Sequence, residues 1–188
     1  MDVFETGTPH SGREVADGLR SLHVETERYL ERIPPQVFVR PQGDKWSPAD
    51  HVRHLSKSNF PVAQALKLPR VLLRALFGKG KASLSFEEMR VSYRAKLEAG
   101  AKAGRFAPVP KPRPGDPEAW RREVLEKYRL SADSLRTGIA RWSEAELDAY
   151  RLPHPLFGKL TVREMLFFTL YHNAHHVRIV AGRVTPPR

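Results

Sequence analysis

LTVREMLFFTLYHNAHH, residues 160–176, is the stretch of sequence that decides the fold. It starts with a capping box, in which Thr161 and Glu164 satisfy the first free backbone amides of a helix, and it continues as an apolar helical pattern. His172 and His176 are four residues apart in this pattern. On a helix their Cβ atoms would lie roughly 5 to 6 Å apart, so both imidazoles can reach one ion.

The two histidines are predicted to point inward, because they fall in register with the apolar residues Met165, Phe168 and Ile179. A neutral imidazole that faces a core needs a partner for each ring nitrogen. A bound cation could supply that partner, with a third ligand from elsewhere in the chain. The alternative is a pair of core histidines that are hydrogen-bonded to each other.

The composition limits the chemistry that this chain can perform. A length of 188 residues with 40% hydrophobic content predicts one domain of ordinary soluble type. The absence of cysteine excludes disulfides, iron-sulfur clusters, thiolate zinc sites and cysteine nucleophiles, so a metal must bind to His, Asp or Glu. No signal-like segment and no run of 18 apolar residues occurs, which predicts a cytoplasmic protein without a membrane partner.

The formal net charge of +11 raises the question of an acidic partner, and nucleic acid is the first class to consider. The basic residues are scattered along the chain, with the densest run at residues 67–81. We therefore favour a solvated basic surface, suited to an anionic small molecule, over a specific nucleic-acid interface.

Four helical patterns and no period-two alternation predict an all-α protein. The first helix covers residues 15–33, and the second starts at Ser47 with a proline in its first turn. Pro61 predicts a kink or break in the second helix. The third starts near Pro117 and spans about 25 residues, and the last runs to about Gly182. These lengths favour a four-helix bundle with one long crossover between the second and third core helices.

We predict a single domain over residues 1–188, with a core at about 12–182 and a short tail at 183–188. The crossover, residues 67–117, contains a predicted extra helix at about 85–103. Its proline-rich part, residues 108–117, is predicted to be extended. Residues 152–158 are predicted to form a turn-rich loop.

Two histidines of the second helix, His51 and His54, compete to be the third ligand, and the apolar periodicity slightly favours His51 without deciding between them. The stretch KWSPADHVRHL, residues 45–55, resembles the second-helix motif of the DinB-like superfamily, in which a Trp-Ser start is followed by a His-Leu pair. The histidine of that pair matches His54. Residues 158–176 resemble the last helix of that family, with its HxxxH motif. The resemblance spans residues 12–182 and implies a metal triad of His54, His172 and His176.

Further residues lie close in sequence or angle to the implied ligands. His51 and His175 could support the ligands or face solvent, and burial statistics favour solvent for both. Arg178 stands where the family often has Gln; it could steer an anionic substrate or complement the helix dipole. His154, between two prolines, could lie over the mouth of the site. The crossover, residues 67–117, has no counterpart in the motif.

Three histidine ligands would leave a coordination position open, as in catalytic metal sites. The resemblance implies a divalent transition metal, which could be zinc, nickel, iron or manganese, and a small-molecule substrate. The first hypothesis is an enzyme that transfers a low-molecular-weight thiol to a small electrophile, and metal-dependent hydrolysis is the second. A noncatalytic metal- or ligand-binding bundle and a basic nucleic-acid-binding protein are the alternatives from other classes. Related bundles often pair, so the resemblance also allows a homodimer.

Overall fold

The computed structural model describes residues 4–109 and 115–184. The elements in chain order are α1 (Gly12–Glu31), α2 (Pro35–Phe38), α3 (Pro48–Ala65), α4 (Arg70–Phe77), α5 (Phe86–Glu98), a short 3-10 helix (Gly104–Phe106), α6 (Pro117–Ile139), α7 (Glu144–Ala149), β1 (Arg151–His154), β2 (Gly158–Thr161) and α8 (Val162–Ala181).

Four long helices, α1, α3, α6 and α8, form the bundle. Helix α3 packs against α6 and α8, and α1 packs against the same two helices, so α1 and α3 lie diagonally opposite each other. The predicted all-α four-helix bundle is therefore confirmed, with a two-stranded sheet as a small addition. For the site, the important consequence is that α3 and α8 are direct neighbours, which brings the second-helix histidines to the HxxxH pair.

The helix starts follow the predicted capping. Ser47 accepts a hydrogen bond from the amide of Asp50, whose side chain accepts from the Ser47 amide in return. Thr161 and Glu164 form the same reciprocal arrangement at the start of α8. Pro61 does not break α3, which continues through it to Ala65. These capping boxes fix the residues at which α3 and α8 begin, and helix geometry then determines the face on which their histidines lie.

The crossover contains more structure than the sequence predicts. The predicted helix at residues 85–103 is the shorter α5, which packs on the outer side of α8 through edge-to-face ring contacts of Tyr93 with Phe168 and Phe86 with Phe167. The basic run at residues 67–81 includes α4, which the sequence analysis missed. Of the stretch predicted to be extended, residues 110–114 lie outside the described residues.

The predicted turn-rich loop at residues 152–158 is wrong in part, because only residues 155–157 form a turn and the residues on either side belong to the two strands of a β-hairpin. Strand β1 pairs antiparallel with β2, with Leu152 opposite Leu160 and His154 opposite Gly158. The side chains of Leu152 and His154 point inward and Pro153 points outward. In a two-stranded ribbon the outer edge of a strand can hold a proline without loss of a hydrogen bond between the strands. The prolines of this segment hid the alternation of buried and exposed residues in the sequence.

Helix α4 buries the side chain of Leu73 and exposes the apolar side chains of Val71, Leu72 and Leu76. Among the described residues, no helix combines the length and the apolar character that crossing a membrane requires.

Candidate metal centre

Three buried histidines meet where α3 packs against α8. His54 comes from α3, and His172 and His176 come from successive turns of α8. One nitrogen of each ring lies within 4.8 Å of the corresponding nitrogens of the other two. The side chains predicted as a metal triad are thus close enough to share one ion. No thiolate or carboxylate belongs to this group, and a set of three imidazoles suits a borderline divalent metal.

Burial keeps these rings neutral. It lowers the pKa of His54 and lowers the pKa of both His172 and His176 well below the ordinary value for histidine. Neighbouring histidines add to the effect for His172 and His176, because one imidazolium disfavours another. Neutral imidazole is the form that binds a metal, so the cluster is in its ligating form at neutral pH.

The backbone of the crossover orients His54. Its Nδ1 lies 2.9 Å from the carbonyl oxygen of Phe106, which can only accept, so Nδ1 carries the proton and Nε2 keeps its lone pair. That Nε2 faces the Nε2 of His172 at 3.0 Å. Such an approach requires either a proton on His172 or a cation shared by the two nitrogens. The bond to Phe106 is the kind of outer contact that orients metal ligands, and a carbonyl leaves no signal in the sequence.

His51 supports His176, and the expectation that His51 faces solvent is wrong. Its ring is buried, and its Nδ1 lies 2.8 Å from Nδ1 of His176. For His176 to offer Nε2 to a metal, its Nδ1 must carry the proton and donate to His51. The proton of His51 then sits on Nε2, which is buried without a hydrogen-bond partner. Burial, helped by the charge of Arg183, lowers the pKa of His51 to about 4.

Trp46, just before α3, closes one side of the cluster. Its ring is parallel to that of His176, with centroids 6.0 Å apart, and contacts His54 at 5.2 Å and His51 at 5.4 Å. On the other side, Phe168 stacks on His172 with centroids 5.0 Å apart. Trp46 was not among the predicted site residues, although the Trp-Ser start of the second-helix motif is a signal for it in the sequence.

Neither His175 nor Arg178 belongs to the group of three buried histidines. His175 is partly exposed, as the surface interpretation predicted, and its ring packs at 5.9 Å from Tyr93 and 6.3 Å from Tyr171. Arg178 does not reach the cluster. Its guanidinium donates to the carbonyl of Phe4 at 2.7 Å and lies 3.8 Å from Glu5, so it holds the N-terminal segment against α8. The predicted role of Arg178 in the site is therefore not supported by its position.

A cavity of about 670 Å³ opens onto the histidine cluster. Its floor is formed by α3 and α8, and its roof by Tyr93 and Leu97 of α5, by residues 101–107 and by residues 152–156 of the hairpin. Most of the wall is apolar, and His54, His172 and His176 provide a polar patch at the base. A cavity of this size could admit a small molecule to the metal-binding nitrogens.

His154 lies in the roof, near the position predicted for it at the mouth. Its buried ring contacts Phe168 with centroids 4.3 Å apart, so one phenyl ring separates it from His172. Burial lowers the pKa of His154 to about 4.

A buried amide network lies beside the cluster. The side chains of Asn59 on α3 and Asn173 on α8 exchange two hydrogen bonds, of 3.0 and 3.2 Å. The hydroxyl of Tyr128 on α6 donates to Asn173 at 3.2 Å, and Asn59 also reaches Ser131 at 3.4 Å. These bonds fix α3, α6 and α8 relative to each other next to His172. Lone Asn and Tyr residues carry no spacing pattern, so the sequence does not predict this network.

Comparison with known proteins supports the family resemblance and the four-helix bundle. A profile of the DinB superfamily matches residues 19–180. The crystal structure of TT2238, a four-helix bundle protein, has a TM-score of 0.52 with this chain at 16% identity, over 91% of this chain and 96% of that one. The colibactin self-resistance protein ClbS, solved in complex with double-stranded DNA, has a TM-score of 0.49 at 17% identity, over 93% and 95% of the two chains. A search of curated protein sequences finds no significant match. At 16% identity the likeness to TT2238 shows the fold alone.

Proposed function

The chain belongs to the DinB superfamily, and from that premise we propose that it is a metal-dependent enzyme that transfers a low-molecular-weight thiol to a small electrophile. The observation that carries the proposal is the group of three neutral histidines at the base of an apolar cavity. His54, His172 and His176 would hold a divalent transition metal. When bound, the ion supplies Lewis acidity, which lowers the pKa of a thiol so that thiolate is available at neutral pH.

The surrounding residues support this use of the site. The carbonyl of Phe106 and the ring of His51 orient two of the ligands. The rings of Trp46 and Phe168 stack on His176 and His172 and fix the planes of these imidazoles. The cavity opening onto the cluster favours catalysis over a noncatalytic metal-binding bundle, which would need no space beside its ligands.

The mouth of the cavity fits an anionic thiol. Lys102 and Arg105 belong to the cavity wall and are exposed, which places two positive charges where a cosubstrate would enter. Low-molecular-weight thiols commonly carry carboxylates, and cations at a cleft raise the local concentration of such anions. Hydrolysis at the same metal is the second reaction that the site could support, with water in place of the thiol.

The first test is the metal content of the untagged protein, measured by inductively coupled plasma mass spectrometry. We expect about one equivalent of a transition metal in the parent and loss of the metal in His54→Ala, His172→Ala and His176→Ala. His175→Ala removes an imidazole from the same helix but should retain the metal. His51→Phe should weaken metal affinity by about 10- to 100-fold, as loss of an outer partner does.

The second test is the reaction. Metal-loaded parent protein is mixed with glutathione, cysteine or another low-molecular-weight thiol and an activated aryl chloride, and release of chloride is followed as the carbon-sulfur bond forms. Transfer by the parent and its loss in His172→Ala would support the proposal. Metal binding without transfer by any thiol, together with cleavage of an activated ester, would replace it with the hydrolase. Absence of metal after reconstitution would contradict both.

Nucleic-acid binding is the competing proposal, and we rank it lower. The net charge of +11 favours it, and residues 51–86 contain no Asp or Glu. The exposed aliphatic side chains of Val71 and Leu76 within that basic run are unsuited to a phosphate backbone. A steep salt dependence of binding to duplex DNA would support this alternative, and its absence would remove it. The proposed homodimer is tested separately by light scattering on the same preparation.

A further inference from the structure

His154 combines two features that together suggest a ligand contact. It ends strand β1 in the hairpin that roofs the cavity, and its ring is held between Phe157, at 5.1 Å, and Phe168, at 4.3 Å. This packing fixes the ring plane. The side chain also belongs to the cavity wall, and Phe168 contacts both its ring and the ring of His172.

The hairpin backbone determines which nitrogen of His154 carries the proton. The amide of Leu156 donates to Nδ1 at 3.1 Å, so Nδ1 is the acceptor and the proton of the neutral ring lies on Nε2. Within the described residues, Nε2 has no hydrogen-bond partner, and it is not among the buried polar atoms that lack one. Its N–H is therefore accessible at the cavity wall and free to donate.

The ring remains neutral at physiological pH. Burial lowers its pKa to about 4, and no neighbouring charge contributes to the shift. His154 therefore offers a neutral donor with one fixed tautomer. A neutral donor suits an uncharged acceptor, because no charge in the described part of the chain lies close enough to shift the pKa of His154 and so to balance a carboxylate bound at its ring.

We propose that Nε2–H of His154 donates a hydrogen bond to the carbonyl oxygen of an uncharged, largely apolar electrophile bound in the cavity. This deepens the proposed function and rests on it, since the cavity is taken as the substrate chamber of the metal-binding cluster. The intervening Phe168 ring, 4.3 Å from His154 and 5.0 Å from His172, provides a surface along which a small molecule reaches from one histidine to the other. A hydrogen bond to the carbonyl oxygen also draws electrons from the adjacent carbon, which is the atom that a nucleophile attacks.

The test compares two probes of matched shape, 4-phenylbutan-2-one and butylbenzene, which differ in the carbonyl oxygen. Their dissociation constants are measured by calorimetry on chelator-treated, metal-free protein. The readout is the ratio of the two constants, which cancels the apolar contribution common to both. We expect His154→Phe, which keeps an aromatic ring on Phe168, to reduce the preference for the ketone by about three- to tenfold.

His154→Gln is the matched control, because its amide nitrogen can occupy the position of Nε2 and donate. It should retain the preference for the ketone to within about threefold of the parent. Nitrogen-15 NMR of the parent provides an independent measurement that needs no variant. We expect the His154 proton on Nε2, and the ketone but not the hydrocarbon should shift that proton to lower field.

An unchanged probe ratio in His154→Phe, or a proton on Nδ1 in the NMR spectrum, would overturn the proposal. Failure of the metal proposal would look different, since the probe measurements contain no metal. The metal content of His154→Phe should match that of the parent. Loss of metal in that variant would mean that His154 acts on the cluster and not on the ligand, which also contradicts the proposal.

Discussion

The base and the roof of the cavity are built on different principles. At the base, His54, His172 and His176 project from two long bundle helices whose starts are fixed by capping boxes. The roof is assembled from α5, a 3-10 turn and a short hairpin, and it contains Leu97 and His154. The bundle thus supplies a rigid set of ligands, while the added segments supply the shape and polarity that a substrate would meet. Substitutions at the base should therefore change metal binding, whereas substitutions in the roof should change the binding of a small molecule.

The largest effect should come from the metal at the base. A ligand that binds the native state with free concentration a thousandfold above its dissociation constant stabilises the fold by about 4 kcal/mol. We expect zinc at that excess to raise the free energy of unfolding of the chelator-treated protein by this amount, measured by urea denaturation. His176→Ala should lose the increase, and the roof variant Leu97→Ala should keep it. If zinc raises the free energy of unfolding of His176→Ala by the same amount, the ion binds at another site. The base would then not differ from the roof in this measurement.

The roof should show its own dependence on pH through His154. Its pKa in the folded protein is about 4, below the ordinary value near 6.5, so between these values the unfolded chain binds more protons. Its contribution to stability is complete above pH 6.5 and is lost as the pH falls to 4, to an extent on the order of 3 kcal/mol. Metal-free parent and His154→Phe are compared by urea denaturation at pH 7.5 and 4.5.

The cluster histidines titrate in both of these proteins, so most of their contribution cancels in the difference. The exception is His172, whose pKa is lowered in part by the charge of His154. The parent should lose more stability than His154→Phe on acidification. Equal losses would show that the His154 ring is solvated in the folded protein, and the roof would then be more open than its packing against Phe168 indicates.

The difference between the base and the roof of the cavity also explains which features the sequence could predict. The spacing of His172 and His176 fixes their common face, because helix geometry alone determines it. The choice of His54 over His51 came from the family motif, since periodicity could not separate two inward residues three positions apart. The contact of His51 with His176 and the carbonyl of Phe106 depend on how distant segments meet. The hairpin escaped prediction because its prolines interrupt the alternation that marks a strand.

The smallest effect should come from the apolar part of the roof, at Leu97. This half-buried residue of α5 lines the cavity, so Leu97→Ala should cost about 1 kcal/mol of stability, less than a fully buried leucine. Leu55→Ala, in the bundle core one residue from His54, is the matched substitution and should cost about 2 to 5 kcal/mol. Urea denaturation measures both. Leu97→Ala should leave zinc affinity within about twofold of the parent, because the hydrogen bonds that orient two of the ligands come from Phe106 and His51. Leu97→Ala should also improve the binding of a bulkier ketone relative to 4-phenylbutan-2-one, because the smaller side chain enlarges the cavity at the roof. A tenfold change in zinc affinity would instead mean that α5 controls the ligands through its packing on α8, so that base and roof act as one unit.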